Sequence, residues 1–249
     1  GIVSAYRNKV TYLPESVENS YGGRPGDNIL GRPLGSFYGY VADGIFQNQE
    51  EVDAHVNQTG KGIGRIRYKN VNDEDNEIND LDRTWIGSPH PDFSYSLNIA
   101  LQYKGFDLTA YFQGVQGIDV HNWLKAQTDF WSVDDVNSNK GRRLLDAWTP
   151  QNTGSTIPAL QTINTNDEGR FSTYFIEDGS YMKLRNLSLG YTLPADIVSK
   201  MKMNRLRFYV SGQNLFTVKS KDFTGVDPEN AGWGYPIPTT WTVGLNVIF

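Results

Sequence analysis

The run from Asn70 to Asp82, NVNDEDNEINDLD, is the densest stretch of oxygen ligands in the sequence. Carboxylates and amides in alternation, closed by a later carboxylate, are how a loop wraps a hard cation such as Ca²⁺. Asp73, Asp75 and Asp82 are therefore the candidate metal ligands. The competing reading is a solvated polar loop whose Asn and Asp side chains bond their own backbone in Asx turns. His55, His90 and His121 stand far apart and lack the spacing of a zinc motif, so they read as loop histidines. No GxSxG elbow frames a nucleophile. Neighbouring carboxylates such as Asp134 and Asp135 would serve a glycosidase only if two of them faced each other across a sugar. The sequence marks no such pair, and the chain is not read as an enzyme.

A second kind of chemistry is carried by aromatic rings. Trp123, Phe130, Trp131 and Trp148 punctuate the segment 115–179, and Trp233 and Tyr235 lie in the segment 219–239. Ring faces on loops stack on ligands, meet partners, or pack the loop onto itself. Trp123, Trp131, Trp148, Trp233 and Tyr235 are taken as candidate ligand or partner contacts, with loop packing as the alternative.

The elements that must position these residues are strands. The clearest alternation runs from Asp92 to Gly114. Phe93, Tyr95, Leu97, Ile99, Leu101 and Tyr103 share one face, against Ser94, Ser96, Asn98, Ala100 and Gln102. Lys104-Gly105 is a turn, after which Phe106, Leu108, Ala110, Phe112 and Gly114 continue the apolar face. Each strand has the roughly ten residues that a tilted barrel strand needs to cross a bilayer. Further strands are predicted over 180–192, 205–218 and 240–249. Leu187, Leu189 and Tyr191 share a face in the first of them. Leu206, Phe208 and Val210 do so in the second, against Arg205, Arg207, Tyr209 and Ser211. Trp241, Val243, Leu245, Val247 and Phe249 form the apolar face of the last. Arg205, Arg207 and Gln213 are expected on the lumen side of a barrel.

Connections at 104–105 and 193–204 are short, while 115–179 and 219–239 are long and rich in Asn, Asp, Gly, Ser and Pro. Short turns at one end and long loops at the other are the outer-membrane barrel pattern. Tyr103, Phe106, Tyr191 and Phe249 would ring the short-turn end, and Phe93, Tyr95, Tyr181 and Trp241 the other. A soluble β-sandwich, with the same alternation around a buried core, is the competing architecture, and with it a carbohydrate-binding module.

Composition narrows the classes. There is no cysteine among the 249 residues, so there is no disulfide frame and no thiolate metal site. A net charge of −5 excludes a broad basic surface for nucleic acid. The mean hydropathy of −0.50 leaves no room for a transmembrane helix, but barrel strands average to such values because they alternate. Gly1-Ile2-Val3-Ser4 does not begin a signal peptide, and the chain is expected to start inside a longer precursor.

Five segments in order resemble the C-terminal region of SusC/RagA-like TonB-linked outer-membrane proteins. They are LGRPLGSFYGYVADGIFQNQEEV (30–52), GRIRYKNVNDEDNEINDLDRTWIGSPHPDFSYSLNIALQYKGFDLTAYFQGVQG (64–117), FIEDGSYMKLRNLSLGYTLP (175–194), RLRFYVSGQNLFTV (205–218) and the strand WTVGLNVIF. The resemblance implies an all-β, antiparallel transmembrane β-barrel of about 22 strands with long extracellular loops. Residues 1–249 would be a C-terminal portion of it, with plug and TonB box elsewhere. It further implies import of oligosaccharides or peptides, TonB as energy source, a SusD-like surface lipoprotein as lid, and outer-membrane lipid around the strands. Trp241 and Phe249 resemble the signal read by the barrel-assembly machinery. Against the family's DxNxDG stretch, Asp75 and Asp82 fall at the fifth and twelfth ligand positions, and Asn76 replaces the turn glycine. Asn70 and Asn72 depart from the pattern, and losing the first carboxylate weakens a Ca²⁺ site.

Overall fold

The structure, a computed structural model, describes residues 1–18, 20, 27–72, 74–130, 139–160, 167–232 and 234–249, and the backbone of residue 131. Its strands are β1 (Ile2–Ser4), β2 (Phe37–Gly39), β3 (Ala42–Ile45), β4 (Ile66–Tyr68), β5 (Thr84–Gly87), β6 (Phe93–Tyr103), β7 (Phe106–Gln116), β8 (Asp119–His121), β9 (Ile176–Asp178), β10 (Tyr181–Thr192), β11 (Arg205–Lys219) and β12 (Thr240–Ile248). Six of them form one sheet in the order β1-β6-β7-β10-β11-β12, and every pairing in it is antiparallel. The four predicted strand regions are thus its five long strands. The short β1, which pairs with β6 through Ile2 to Ser4, has too few residues to show a period.

Register aligns side chains into rows across the sheet. Leu101, Leu108, Leu189, Val210 and Val243 stand opposite one another in sequence, as do Tyr103, Phe106, Tyr191, Phe208 and Leu245. The apolar face they make is open. Leu101 is 58% exposed, Leu245 62% and Val243 82%. A sandwich would bury this face against a second sheet. An apolar face of strands this long that nothing covers is instead the lipid-facing side of antiparallel transmembrane barrel strands.

Local devices set the geometry. Lys104 and Gly105 both have positive φ, 47° and 86°, as a two-residue type I′ hairpin requires. At that end Phe106 and Tyr191 rings lie 4.5 Å apart, in the expected girdle. Gly244 stands directly opposite Tyr209, whose ring lies over it; a Cβ there would come 2.4 Å from the ring. Gly244→Val is therefore expected to destabilise the sheet by about 1–3 kcal/mol through overpacking. Urea titration of the heat-modifiable, folded band of the full-length protein would measure this.

Pairing slips at one level. Between Leu184 and Asn186 on β10, Arg185 has no counterpart on β7, and β11 inserts Asn214 and Leu215 opposite it. Asn214 takes φ 52°, which Asn tolerates. This pair of bulges corrects one expectation. Tyr181 does not join the outer girdle. The extra residue shifts the phase of β10, so Met182 and Leu184 share the apolar face with Leu187 and Leu189. Tyr181 points to the polar side, is 8% exposed, and donates its hydroxyl to Glu229 at 2.6 Å.

The main buried cluster lies outside the large sheet. Ile66, Tyr68 and Ile78 pack with Ala126, Phe130 and Phe175. The segments 37–87, with the small sheets β2-β5 and β3-β4, and 118–178, with the small sheet β8-β9, therefore meet at this core. They stand at the long-loop end, where β8 and β9 extend from β7 and into β10. Helices are short: α1 (Glu15–Glu18), α2 (Gln49–Ala54), α3 (Trp123–Ala126) and α4 (Ala195–Lys200). None of the described helices is long and apolar enough to cross a membrane.

Candidate ligand-contact site

β3, β4, β9, α3 and the start of the β11–β12 connection enclose an open cavity of about 930 Å³. Its walls carry ionised groups of both signs, with Glu51, Arg67, Lys125, Arg143, Glu177 and Asp222 among them, and hydroxyls from Ser155, Thr156, Thr173 and Thr224. Asn122 caps α3 by accepting from the Lys125 amide, which sets Lys125 on the cavity side.

Buried ion pairs keep these walls in place. Lys125 Nζ lies 3.2 Å from Glu177 Oε1, with side chains only 10% and 4% exposed. Glu177 also accepts from Asn122 Nδ2 at 2.8 Å, Thr224 N at 2.9 Å and Thr224 Oγ1 at 2.7 Å. Burial works to raise its pKa, but Lys125 and the Thr224 and Asn122 hydrogen bonds outweigh burial and hold it below its usual value. For Lys125 burial dominates and pulls the ammonium below the ordinary lysine range. Asp129 takes Arg143 Nη1 at 2.6 Å and the Tyr174 hydroxyl at 2.7 Å. Burial raises Asp129 nonetheless, and raises Tyr174 as well. A third buried pair, Arg65–Glu168 at 2.7 Å, ties the β4 entry to the segment preceding β9.

A second cluster lines the polar face of β10. Lys183, 2% exposed, donates to both Asp227 oxygens at 2.7 Å and to Glu229 at 2.6 Å. Arg185, two residues on and so on the same side, meets Glu229 and Gln113. Lower on this face Arg207 forks onto Asp107 at 2.8 and 2.5 Å, passing over Gly190. The sheet therefore has one apolar side and one ion-paired side.

The aromatic candidates scatter. Trp148 is 6% exposed, and its indole N–H donates to Gln47 at 2.8 Å, so it packs the loop, leaving Gly64 no room for a side chain. Trp123 is 44% exposed, with its ring 5.0 Å from His121. Tyr235 is 96% exposed and borders a smaller cavity of about 260 Å³ with Leu124 and Val226. The Trp131 side chain and Trp233 lie outside the described residues. None of the other three lines the large cavity. Trp241 and Phe249 are exposed, at 64% and 84%.

The acidic run is occupied with its own loop. Asp82, fully buried, accepts from the amides of Val71, Asn72 and Asn79 at 2.8–2.9 Å. Asp75 takes the Asn72 and Asn79 side-chain amides and the Glu77 backbone. Lone pairs that would hold Ca²⁺ here bind N–H groups. No group of three His, Asp or Glu able to hold a metal exists among the described residues, and Asp73 lies outside them. His121 sits among aromatic rings, its pKa lowered by burial, and His90 bonds Tyr6 and the Leu34 carbonyl. The ionised residues Lys125, Asp129, Glu177 and Lys183 were not singled out from sequence. For Lys183 a signal existed: it and Arg185 are two cations, two residues apart, within a strand of membrane-crossing length.

No protein-family model matches the chain. Curated relatives do, among them two from Formosa agariphila. TonB-dependent receptor P3 is 32% identical over 99% of this chain and 26% of its own length. TonB-dependent receptor P26 is 31% identical over 89% of this chain and 23% of its own. A solved structure of the RagAB peptide transporter superposes with a TM-score of 0.72 at 24% identity, over 99% of this chain and 26% of that one. Antiparallel strands with an open apolar face and an ion-paired opposite face make this chain a portion of an outer-membrane-type β-barrel. More closely, the chain is similar to TonB-dependent receptors along nearly its whole length and spans about a quarter of theirs.

Proposed function

We propose that this chain supplies C-terminal barrel strands and outer loops of a TonB-dependent importer in the bacterial outer membrane. The observation that carries the reading is the uncovered apolar row through Leu101, Leu189 and Val243, which suits lipid and has no use in a soluble sandwich or lectin-like module. The named relatives are receptors and a transporter, which favours transport over catalysis. A SusD-like surface lipoprotein and TonB are the partners that such a protein would use.

The cargo would be peptides or oligosaccharides, and the cavity favours peptides. Its walls offer fixed charges of both signs to peptide side chains and termini. Tyr174, the aromatic ring on its lining, has Lys125 Nζ 4.0 Å from its centroid and its hydroxyl on Asp129, so it offers little platform for a sugar. RagAB, described as a peptide transporter, has the same fold.

The test is envelope fractionation of the full-length protein in its native host. Outer-membrane location, heat-modifiable migration and loss of assembly when Phe249 is deleted are expected. A soluble or periplasmic protein indifferent to that deletion would overturn the proposal.

A further inference from the structure

The connection between β11 and β12 does not stand away from the sheet. It returns along the polar face and is pinned at two points. Upstream, the Thr224 amide and hydroxyl bind Glu177. Downstream, Asp227, Pro228, Glu229 and Asn230 form a turn, closed by Asn230 N donating to the Asp227 carbonyl at 3.0 Å. Pro in the second place fits such a turn, and Asp227 Oδ1 accepts from the Glu229 amide at 2.9 Å in an Asx turn. This rigid turn presents two carboxylates to one buried ammonium, Lys183. Arg185 also meets Glu229, and Asn214 bonds Pro238 and Thr239. Between the end of β11 and the downstream turn, Lys221, Asp222 and Thr224 line the large cavity.

We propose that Lys183 is a positioning residue for ligand contact. It lines no described cavity itself. By fixing the 227–230 turn against the inner wall, it holds Lys221 to Thr224 as a rigid side of the cavity. The β11–β12 connection is then a fixed wall of the outer mouth rather than a moving flap. The charges match two against two, Lys183 and Arg185 with Asp227 and Glu229, so the cluster closes without an unpaired buried ion. The inference rests on the import reading for the meaning of the cavity, not for the anchoring itself.

Hydrogen exchange on the purified full-length receptor tests it. Lys183→Met should speed exchange across 221–230 by about tenfold or more while β7, β10 and β11 keep their protection. Lys183→Arg, which keeps the charge, should restore most of that protection. Asp227→Asn leaves every strand residue unchanged and should loosen the same segment; it decides the matter if Lys183→Met does not assemble. Unchanged exchange in 221–230, or a rise spread evenly over the strands, would overturn the proposal. Failure of outer-membrane fractionation would remove the import reading but leave the exchange result standing.

Discussion

Val243→Lys in the full-length protein should abolish outer-membrane assembly. Val243 is 82% exposed and sits mid-strand at the end of the apolar row through Leu101, Leu108, Leu189 and Val210. In water, a lysine at so open a site changes stability by no more than about 0.5 kcal/mol. Facing the middle of a bilayer it costs about 2–4 kcal/mol. The sign of the result therefore separates the two environments, which exposure alone does not. Thr242→Lys, one residue away on the polar face, is the control and should assemble. Folded, heat-modifiable protein in the outer-membrane fraction is the readout, and equal assembly of both variants would refute a lipid-facing Val243.

Glu177→Ala should release the outer loops. Glu177 joins β9 to α3 through Asn122 and Lys125, and to the β11–β12 connection through Thr224. Removing it strands a buried ammonium and three donors, a loss of about 3–5 kcal/mol in a buried pair. Trypsin should then cut at Lys125 and Lys221 in variant protein whose strands remain folded. The same carboxylate gives a pH dependence. Its folded pKa lies below the ordinary 4.5, so its stabilisation is complete above that value and is lost as pH falls through the folded pKa. Asp129, raised above 3.8 by burial, acts in the opposite sense, since protonation relieves its desolvation. Glu177→Gln should therefore weaken the loops at neutral pH and flatten their response to acid; a response as steep as the parent's would assign it elsewhere.

How far the sequence reached follows from range. The long strands were legible because period two is written within each strand, and the β6–β7 turn because Lys-Gly follows an unbroken alternation. Tyr181 was misplaced because the phase of Leu187 and Leu189 was carried upstream unbroken, whereas the three-residue step from Leu184 to Leu187 marks the bulge that the register shows. The small sheets escaped because β2, β3, β4, β5, β8 and β9 have three or four residues each, and their pairing depends on partners far along the chain. Asp75 and Asp82 were rightly seen as a dense set of oxygens, but spacing cannot say whether oxygens face a cation or an amide. Trp148 and the cavity residues differ only in burial, which no local spacing records. Lys125 and Glu177 are 52 positions apart, and their pairing exists only once the loops have folded together.

The six-stranded sheet has two rims, β1 and β12, each paired on one side only among the described residues. In hydrocarbon an unsatisfied peptide group costs several kcal/mol, and β12 alone has nine residues. The bilayer therefore penalises this sheet while its rims are open, however well the lipid suits its apolar face. Crossing the membrane and zipping the rims to neighbouring strands must then be a single cooperative event, with no stable half-inserted ribbon between water and the finished wall.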